Sequence, residues 1–479
     1  MNPLLYWTYR AAGELASLAA RVVPAGEGKL TRALHARRDV AERFTAWASM
    51  GRDRSRPLLW MHAPSVGEGL QARPLLERMR ARRPEVQLVY TFFSPSAESF
   101  ARGLSVDFAD YLPFDTPAAA RHALEALRPT ALVYAKLDVW PVLTAEARRC
   151  GVRLGLVSGT VAPGSSRRGG AARWLLRDAY AALDAVGAVS ADDADRLAAL
   201  GARADVVHVI GDTRYDQVAA RAAAVDRSSP LLAPFAGTLG GSHERSHEGS
   251  HERSHEGSHE GSHERSHEGS HERSHGESRP TLVAGSTWPA DEAVLLPAWE
   301  AVRRQMPHAR LIIAPHEPTG EHLVPIEAWG RASGMRVARL GSDAAGGAEV
   351  VVVDRVGVLG DLYALASVAF VGGGFHAAGL HSVLEPAAFG APVLFGPRFT
   401  NARDAELLVT CGGGAVVQDA ATAAGQLVRW FGDDAERVAA GRKAKALVSQ
   451  GLGAADRSFA LVEALLNPPT SATPPGAQR

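Results

Sequence analysis

The sequence predicts an α/β protein made of two Rossmann-like domains with mostly parallel sheets. The chain has 479 residues, a length that suits two or three domains rather than one. Short apolar runs alternate with amphipathic stretches twice along it. The apolar runs are mostly continuous, which is typical of strands covered by helices on both faces of a sheet.

The first repeat of this pattern extends from Pro57 to about Ile210. Its apolar runs predict six strands, at Pro57–His62, Val86–Phe93, Thr130–Ala135, Val152–Ser158, Ala185–Val189 and Asp205–Ile210. Helical spacing between these runs predicts helices at Leu70–Arg82, Pro117–Leu127, Val142–Arg149 and Asp192–Leu200. This strand–helix order assigns residues 51–220 to one parallel domain.

The second repeat begins at Thr281 and assigns residues 281–466 to another domain. Its predicted strands are Thr281–Gly285, Ala309–Ala314, Glu349–Val353, Val368–Gly372 and Pro392–Phe395. Three further helices are expected to close the chain near Leu466. The Pro-rich tail, residues 467–479, is expected to be disordered.

A linker, residues 221–280, joins the two predicted domains and contains a low-complexity repeat. From Gly241 to Gly276 the chain repeats Ser-His-Glu followed by Arg or Gly, and this tract holds nine of the 18 histidines. Because it has no apolar surface to bury, it is expected to be a disordered tether. The alternative is metal binding, since histidines four residues apart could pair as ligands on a helix.

The composition argues against several classes of protein and indicates the compartment in which the protein works. The 52 basic and 52 acidic residues balance, so no global field favours a nucleic-acid partner. The chain has only two cysteines, Cys150 and Cys411, which argues against a disulfide framework and against a cysteine-based metal site. These observations indicate a cytoplasmic protein.

The N-terminal segment, residues 1–50, opens with a predicted helix that has an apolar face. Arg10, Glu14 and Arg21 interrupt it, so neither a membrane-spanning helix nor a signal peptide is expected. Two interpretations stay open, a packing helix of the first domain or an interfacial helix on a bilayer. The apolar face consists of Leu4, Trp7, Ala11, Leu15, Leu18 and Val22, and the basic residues that would suit anionic lipid are Lys29, Arg32, Arg37 and Arg38.

Three turns of the first repeat carry residues suited to chemistry. Glu68 follows the first strand, at the edge where open α/β sheets bind ligands, and Gly67 and Gly69 flank it. It could instead be an ordinary first-turn residue of a helix. Lys136, Asp138 and Trp140 follow the third predicted strand, where Asp138 could be a helix cap and Trp140 a core residue. In Gly211–Asp216, Arg214 is a candidate anion ligand.

The second repeat contains a glycine-rich turn, Gly372–Gly374, that leads into a helix. Backbone N–H groups and a helix N-terminus make such a turn a candidate phosphate site. Glu385 in that helix could accept hydrogen bonds from ribose hydroxyls. Ser286 or Thr287 is expected to cap the helix after the first strand, and His316 is expected at the carboxyl edge of the sheet.

With these residues assembled, the chain resembles the 3-deoxy-D-manno-octulosonic acid (Kdo) transferases of lipopolysaccharide synthesis. The similarity extends over nearly the whole chain except the His-rich repeat and the tail. In the first half the matching segments are Ser65–Glu68, Tyr111–Pro117, Asp138–Pro141 and Gly211–Asp216. In the second half they are Gly285–Glu292, the Ala-Pro-His-Glu-Pro that ends at Pro318, and Phe370–Pro397.

The resemblance implies a GT-B glycosyltransferase whose two domains face each other across a cleft. It implies CMP-Kdo as donor, a lipid A precursor (lipid IVA) as acceptor, and inversion at the anomeric carbon with neither metal nor cofactor. It further implies a peripheral protein on the cytoplasmic side of the inner membrane, contacting it through the N-terminal helix, with no nucleic-acid partner.

The resemblance also implies roles for individual residues. Glu68 is the expected general base, while Asp138 and Arg214 are expected to stabilise the transition state. The expected donor-binding residues are Pro315, His316, Gly357, Gly372, Gly373, Gly374, Ser382, Leu384 and Glu385.

The chain departs from the family pattern at several of these positions. Lys136 replaces a carboxylate, His316-Glu317 replaces an Arg-His pair, Ser382 replaces an Asn and Arg214 replaces a Lys. Two alternative functions stay open from sequence alone. One is a GT-B enzyme that uses a UDP-sugar, similar to a lipid A disaccharide synthase, and the other is an impaired paralogue that acts as a membrane-associated scaffold.

Overall fold

The structure is a computed structural model that describes residues 3–22, 28–238, 279–377, 379–400 and 402–467. The His-rich repeat and the tail, for which a tether, a metal site and disorder were predicted, lie outside the described residues. Residue contacts divide the chain into two compact units. The first contains the described residues up to Ala220 and those from Ser449 onward, and the second extends from Arg221 to Val448.

The first unit is built on a seven-stranded sheet in the order β3-β2-β1-β4-β5-β6-β7, and every pairing is parallel. Its strands are β1 Leu58–His62, β2 Gln87–Phe92, β3 Phe108–Tyr111, β4 Ala131–Ala135, β5 Arg153–Gly159, β6 Ala185–Ala188 and β7 Val207–Val209. The helices are α1 Pro3–Val22, α2 Lys29–His35, α3 Val40–Met50, α4 Val66–Arg82, α5 Glu98–Arg102, α6 Pro117–Leu127, α7 Pro141–Arg149, α8 Gly170–Ala181, α9 Ala191–Leu200 and α10 Thr213–Ala224.

The second unit repeats the plan with a parallel sheet in the order β10-β11-β9-β8-β12-β13-β14. Its strands are β8 Thr281–Thr287, β9 Arg310–Pro315, β10 Val337–Arg339, β11 Val350–Val352, β12 Val368–Val371, β13 Val393–Phe395 and β14 Gly414–Val416. The helices are α11 Pro289–Gln305, α12 Gly320–Ala332, α13 Leu359–Leu362, α14 Leu384–Ala388, α15 Arg403–Cys411, α16 Ala420–Gly432 and α17 Asp434–Gln450. The predicted α/β class with two parallel sheets is confirmed.

The central strands are buried on both faces, which explains their continuous apolar sequences. In β1 all five residues are buried, so neighbouring side chains such as Trp60 and Met61 contact helices on opposite faces of the sheet. The three strands that the sequence did not predict, β3, β10 and β14, are all edge strands of three or four residues. With polar residues such as Asp110 and Arg339, they lack a long apolar run.

The last helix, α18 (Ala454–Leu466), belongs to the first unit, although the sequence assigned residues 281–466 to the second domain. Its buried side chains Phe459, Val462 and Leu465 join the core of the first sheet. A Cβ at Gly155 in β5 would lie 2.7 Å from Leu465 Cδ1, so the glycine allows the helix to pack closely on the strand. Sequence order alone could not predict this return of the chain.

One face of α1 is attached to the first unit. The Tyr9 hydroxyl donates a 2.8 Å hydrogen bond to Asp115, whose carboxylate also accepts the N–H groups of Val142 and Leu143. A Cβ at Gly13 would lie 3.4 Å from the Asp115 carbonyl oxygen, so the helix contacts this loop closely. Arg37, predicted to suit lipid, is buried and donates to the carbonyls of Leu112 and Phe93.

The opposite face of α1 exposes large apolar side chains. Trp7, Leu15, Leu18 and Val22 are 62%, 67%, 56% and 80% exposed, and their spacing places them on one side of the helix. α1 therefore combines the two predicted properties, a packed face and an unburied apolar face. Within the described residues, no helix has the length and apolar character needed to cross a membrane.

We expect Leu465→Ala to lower the free energy of unfolding of the first unit by about 2–5 kcal/mol, because it leaves a cavity between α18 and the sheet. Urea unfolding followed by tryptophan fluorescence measures the change. The control is Leu452→Ala, at a 40% exposed position just before α18, which should alter stability by less than about 0.5 kcal/mol. Equal effects of both variants would contradict the assignment of α18 to this core.

Candidate active site

Glu68 lies in the first turn of α4, just beyond the carboxyl end of β1. The Ser65 hydroxyl donates a short hydrogen bond to its carboxylate, and Lys136 Nζ lies 3.0 Å from Glu68 Oε1. The side chains of Glu68 and Lys136 are 16% and 41% exposed. Glu68 is thus held from two sides at the sheet edge while keeping some solvent access.

Two opposing effects set the pKa of Glu68. Burial raises the pKa, but the Ser65 hydrogen bond and the nearby Lys136 ammonium together outweigh burial and hold the pKa below its ordinary value. The side chain is therefore an ionised carboxylate at neutral pH, the form that can accept a proton.

Lys136 adopts a left-handed backbone conformation, with a φ of 63°. Such a conformation costs about 1–3 kcal/mol for a residue other than glycine. The Lys136 N–H donates a 2.9 Å hydrogen bond to the Val157 carbonyl, which anchors the turn to β5. Ser158, at the end of β5, is also left-handed with a φ of 52°. Backbone strain is thus concentrated at neighbouring strand ends beside Glu68.

Asp138, two residues after Lys136, is held by an arginine that sequence reasoning missed. Arg167 donates short hydrogen bonds to the Asp138 carboxylate and to the Leu137 carbonyl. The Tyr180 hydroxyl donates to the same carbonyl at 3.0 Å. Arg167 lies just before α8, far from Asp138 in sequence, so no local pattern could predict the pair.

Arg214 opens α10 and is paired with a carboxylate of its own turn. The side-chain Nε of Arg214 lies 2.8 Å from Asp212 Oδ2, and the backbone N–H of Arg214 donates to Asp212 Oδ1. The adjacent Thr213 hydroxyl donates a 2.7 Å hydrogen bond to the carbonyl of Gln71, one turn after Glu68 in α4. The structure therefore places the turn of Arg214 against the helix that carries Glu68.

His62 is a further residue of this edge that the sequence did not single out. It is buried, its Nδ1 lies 3.0 Å from the Thr91 carbonyl, and its Nε2 accepts the indole N–H of Trp140 at 3.0 Å. Burial lowers the pKa of His62 to about 3, so the ring is neutral. The hydrogen bond between Trp140 and His62 fixes the end of the Lys136–Trp140 turn to β1.

Gly69, next to Glu68, has a packing role, since a Cβ there would lie 2.5 Å from the Phe100 ring.

In the second unit, several backbone N–H groups in and beside the glycine-rich turn are paired within the protein. The buried Asp291 carboxylate accepts the N–H groups of Gly373 and Phe375, at 2.8 and 3.0 Å, and that of Trp288 at 2.9 Å. The Gly372 N–H donates to the Gly285 carbonyl. Helix α14, which follows the turn, has only five residues. The N–H groups of Gly372, Gly373 and Phe375 are therefore paired within the protein, and phosphate binding at this turn stays a prediction.

The glycines of this turn are required by close backbone contacts. A Cβ at Gly372 would lie 2.2 Å from the Ser286 carbonyl oxygen, and one at Gly374 would lie 2.4 Å from the Gly396 nitrogen. Gly373 has a φ of 92°, a conformation that favours glycine. Ser286 itself is left-handed, with a φ of 54°. These contacts bring the turns after β8, β12 and β13 together at one edge.

The remaining predicted donor residues lie at or near this carboxyl edge, with different degrees of access. Pro315 ends β9, and the exposed His316 donates its N–H to the Thr287 carbonyl. Gly357 has a φ of 88°, and its carbonyl accepts a hydrogen bond from Arg221. Ser382 is exposed, whereas the Leu384 side chain is buried in the core. Only the backbone of Leu384 could therefore contact a ligand.

Glu385 follows in α14, where burial raises its pKa although Arg221 acts in the opposite direction.

Trp288 contacts three imidazoles at the same edge. The rings of His316 and His376 stack on its indole, with centroids 4.5 and 4.4 Å away. Its indole N–H donates a 3.2 Å hydrogen bond to His381 Nε2.

A family model described as 3-deoxy-D-manno-octulosonic-acid transferase (kdotransferase) matches residues 38–217. The 3-deoxy-D-manno-octulosonic acid transferase of Bordetella pertussis is 28% identical, over 85% of this chain and 86% of its own length. The Chlamydophila psittaci enzyme of the same name is 24% identical, over 75% and 74%. Among solved structures, the UDP-GlcNAc 2-epimerase from Neisseria meningitidis has a TM-score of 0.57 at 12% identity, over 86% of this chain and 99% of its own.

The two parallel seven-stranded sheets, with polar residues at their carboxyl edges, have the GT-B fold. The chain is similar over most of its length to enzymes named as Kdo transferases, which are glycosyltransferases, and the resemblance predicted from its motifs is confirmed.

We expect Lys136→Met to raise the pKa of Glu68, because the substitution removes the cation that stabilises the carboxylate. Carbon-detected NMR of the labelled glutamate side chain follows this titration without any substrate. Arg167→Met is the matched control, since Arg167 pairs with Asp138 and should leave the Glu68 titration unchanged. An unchanged pKa of Glu68 in Lys136→Met would show that the ion pair does not hold the carboxylate.

Proposed function

We propose that this enzyme transfers Kdo from CMP-Kdo to a lipid A precursor such as lipid IVA at the cytoplasmic face of the inner membrane. The observation that carries the proposal is the ionised Glu68 carboxylate, held by Ser65 and Lys136 at the edge where open α/β sheets bind ligands. The similarity to enzymes named as Kdo transferases supports the choice of sugar.

Glu68 acts as the general base in this proposal. An acceptor hydroxyl gives its proton to the carboxylate while its oxygen forms a bond to the anomeric carbon of Kdo. The bond from that carbon to the phosphate oxygen breaks, and CMP leaves with the electron pair. Attack opposite to the departing phosphate inverts the anomeric configuration. General base catalysis of this kind contributes about 10²–10⁴-fold to the rate.

Charged neighbours tune this chemistry in the first unit. The Lys136 ammonium keeps Glu68 ionised, and once Glu68 has taken the proton, the ammonium is available to the carboxylate of the sugar. Asp138 and Arg214 stabilise charge in the transition state, each positioned by its own ion pair, with Arg167 and Asp212 respectively. Trp140, held by His62, fixes the turn that carries Lys136 and Asp138.

The second unit binds the nucleotide of the donor at its carboxyl edge. His316, Ser382 and Glu385 supply polar groups there, while the Gly357 turn and the Gly372–Gly374 turn shape the backbone around them. Leu384 contributes through its backbone only. Because the N–H of Gly373 donates to Asp291 and that of Gly372 donates to the Gly285 carbonyl, these two glycines position the turn in this proposal.

The acceptor side of the proposal depends on α1. Its exposed residues Trp7, Leu15, Leu18 and Val22 form an apolar stripe of the kind that lies in a lipid interface, while Tyr9 attaches the opposite face to the first unit. The helix is too polar to span a bilayer, which agrees with a peripheral enzyme that reaches a lipid acceptor. This arrangement favours the interfacial interpretation of α1.

We expect Glu68→Gln to fold normally and to lose about 10²–10⁴-fold in the rate of Kdo transfer, because the amide cannot accept the proton. Transfer from CMP-Kdo to lipid IVA, followed as labelled glycolipid, measures the rate. Glu77→Gln is the matched control, since Glu77 lies exposed on the same helix. Near wild-type transfer by Glu68→Gln would refute the assigned base.

We expect Leu15→Glu combined with Leu18→Glu to weaken binding to anionic phospholipid vesicles by more than tenfold. Burial of each leucine in the interface lowers the free energy of binding by about 1.5–3 kcal/mol, and a glutamate side chain does not make this contribution. Vesicle co-sedimentation measures the affinity. The control pair Val324→Glu and Val438→Glu carries the same charge change at exposed positions of the second unit. Equal losses in both pairs would contradict a docking role for α1.

A further inference from the structure

Of the nine tryptophans of the chain, all of which lie among the described residues, two are exposed and the others are buried or half-buried. Trp7, on α1, is 62% exposed, and Trp174, on α8, is 53% exposed. These two helices pack against each other in the first unit. Because a buried tryptophan contributes strongly to stability, an exposed one on each of two neighbouring helices indicates that both helices contact a common partner.

The exposed side of α8 carries positive charge around Trp174. Arg173 and Arg177 are exposed, and their helical spacing places them on the same side of the helix as the indole. Arg168, just before α8, is exposed as well, whereas Asp178 contributes one negative charge to this side. An indole among guanidinium groups fits the interface of an anionic bilayer, where the ring lies at the level of the headgroups and the cations contact phosphates.

Both ends of α8 are attached to the turn that contains Asp138. Before the helix, Arg167 donates short hydrogen bonds to the Asp138 carboxylate and to the Leu137 carbonyl. In the last turn of the helix, the buried Tyr180 donates a 3.0 Å hydrogen bond from its hydroxyl to the same carbonyl. One side of α8 is therefore bound to a turn of the candidate active site, and another side is exposed.

We propose that α8 is a second lipid-binding helix, in which Trp174 enters the headgroup region of the bilayer and Arg173 and Arg177 bind the phosphates of anionic phospholipids. The inference rests on the proposed function, which docks α1 on the membrane, and adds to it a second helix and a preference for anionic headgroups. Through Arg167 and Tyr180, this contact connects the lipid surface with the turn of Asp138.

An anionic bilayer is the partner that matches both helices. The apolar stripe of α1 is stabilised by an apolar phase, and the guanidinium groups of α8 are stabilised by anions. A bilayer that contains acidic phospholipids offers both within one interface. Near such a surface, each arginine raises the binding constant by about fivefold.

The test is co-sedimentation of the full-length protein with vesicles of pure phosphatidylcholine and with vesicles that also contain phosphatidylglycerol. We expect Arg173→Glu combined with Arg177→Glu to weaken binding to the phosphatidylglycerol vesicles by about tenfold or more, and binding to pure phosphatidylcholine by less than about twofold. Trp174→Ala should weaken binding to both kinds of vesicle. The control pair Arg304→Glu and Arg442→Glu makes the same charge change at exposed positions of the second unit, and should change binding by less than about twofold.

A second readout separates lipid binding from a general loss of structure. The Arg173 and Arg177 double variant should have a higher KM for lipid IVA presented in phosphatidylglycerol vesicles, and an unchanged affinity for CMP measured by calorimetry. A loss of CMP affinity equal to the loss of vesicle binding would show that the double variant is misfolded, and the charge-neutral pair Arg173→Gln and Arg177→Gln then decides, with a loss of about fivefold or more expected on the anionic vesicles.

Wild-type binding of both arginine double variants to the phosphatidylglycerol vesicles would overturn this inference while leaving the docking of α1 intact. A loss that the control pair shares, or one of equal size on pure phosphatidylcholine, would overturn it as well, because neither depends on α8 and anionic headgroups together. Absence of vesicle binding by the wild-type protein would instead refute the membrane docking in the proposed function, and with it the inference.

Discussion

The ion pair between Lys136 and Glu68 is the interaction on which the first unit's site depends. Without the ammonium and the Ser65 hydroxyl, burial would raise the pKa of the carboxyl and weaken it as a proton acceptor at neutral pH. Lys136 has a left-handed backbone conformation in this pair, its N–H donates to the Val157 carbonyl in β5, and Trp140, in the same turn, donates to His62. The charge proposed for catalysis thus depends on a residue whose strained backbone is hydrogen-bonded to the parallel sheet.

In the second unit, a buried carboxylate holds the glycine-rich turn in place. Asp291 accepts three backbone N–H groups from the turns after β8 and β12, which fixes the glycine-rich turn against its neighbours. The glycines then serve close packing between backbones, and polar side chains at the same edge are left to contact a ligand. In both units, buried hydrogen bonds place the turns, and the residues proposed for chemistry project from them.

Much of this architecture could be predicted from the sequence, because the central strands are buried on both faces and therefore apolar throughout. The edge strand β3 was missed since Asp110 interrupts its short run, and α18 was assigned to the wrong unit because its packing on β5 is set by tertiary contact. Glu68, Asp138 and Arg214 could be singled out from turns and motifs. Their partners Arg167 and Asp212, the buried His62 and the role of Asp291 depend on contacts that residue spacing alone does not fix.

The most direct test of the central claim is the single-turnover rate of Kdo transfer, with saturating donor and acceptor, measured as the pH is lowered from 8 to 5. A carboxylate whose pKa lies below the ordinary value of about 4.3 stays ionised over this range, so we expect a rate that is nearly constant. A rate that falls to half between pH 6 and 7 would contradict the account, since the proton acceptor would then be a group other than the ion-paired Glu68.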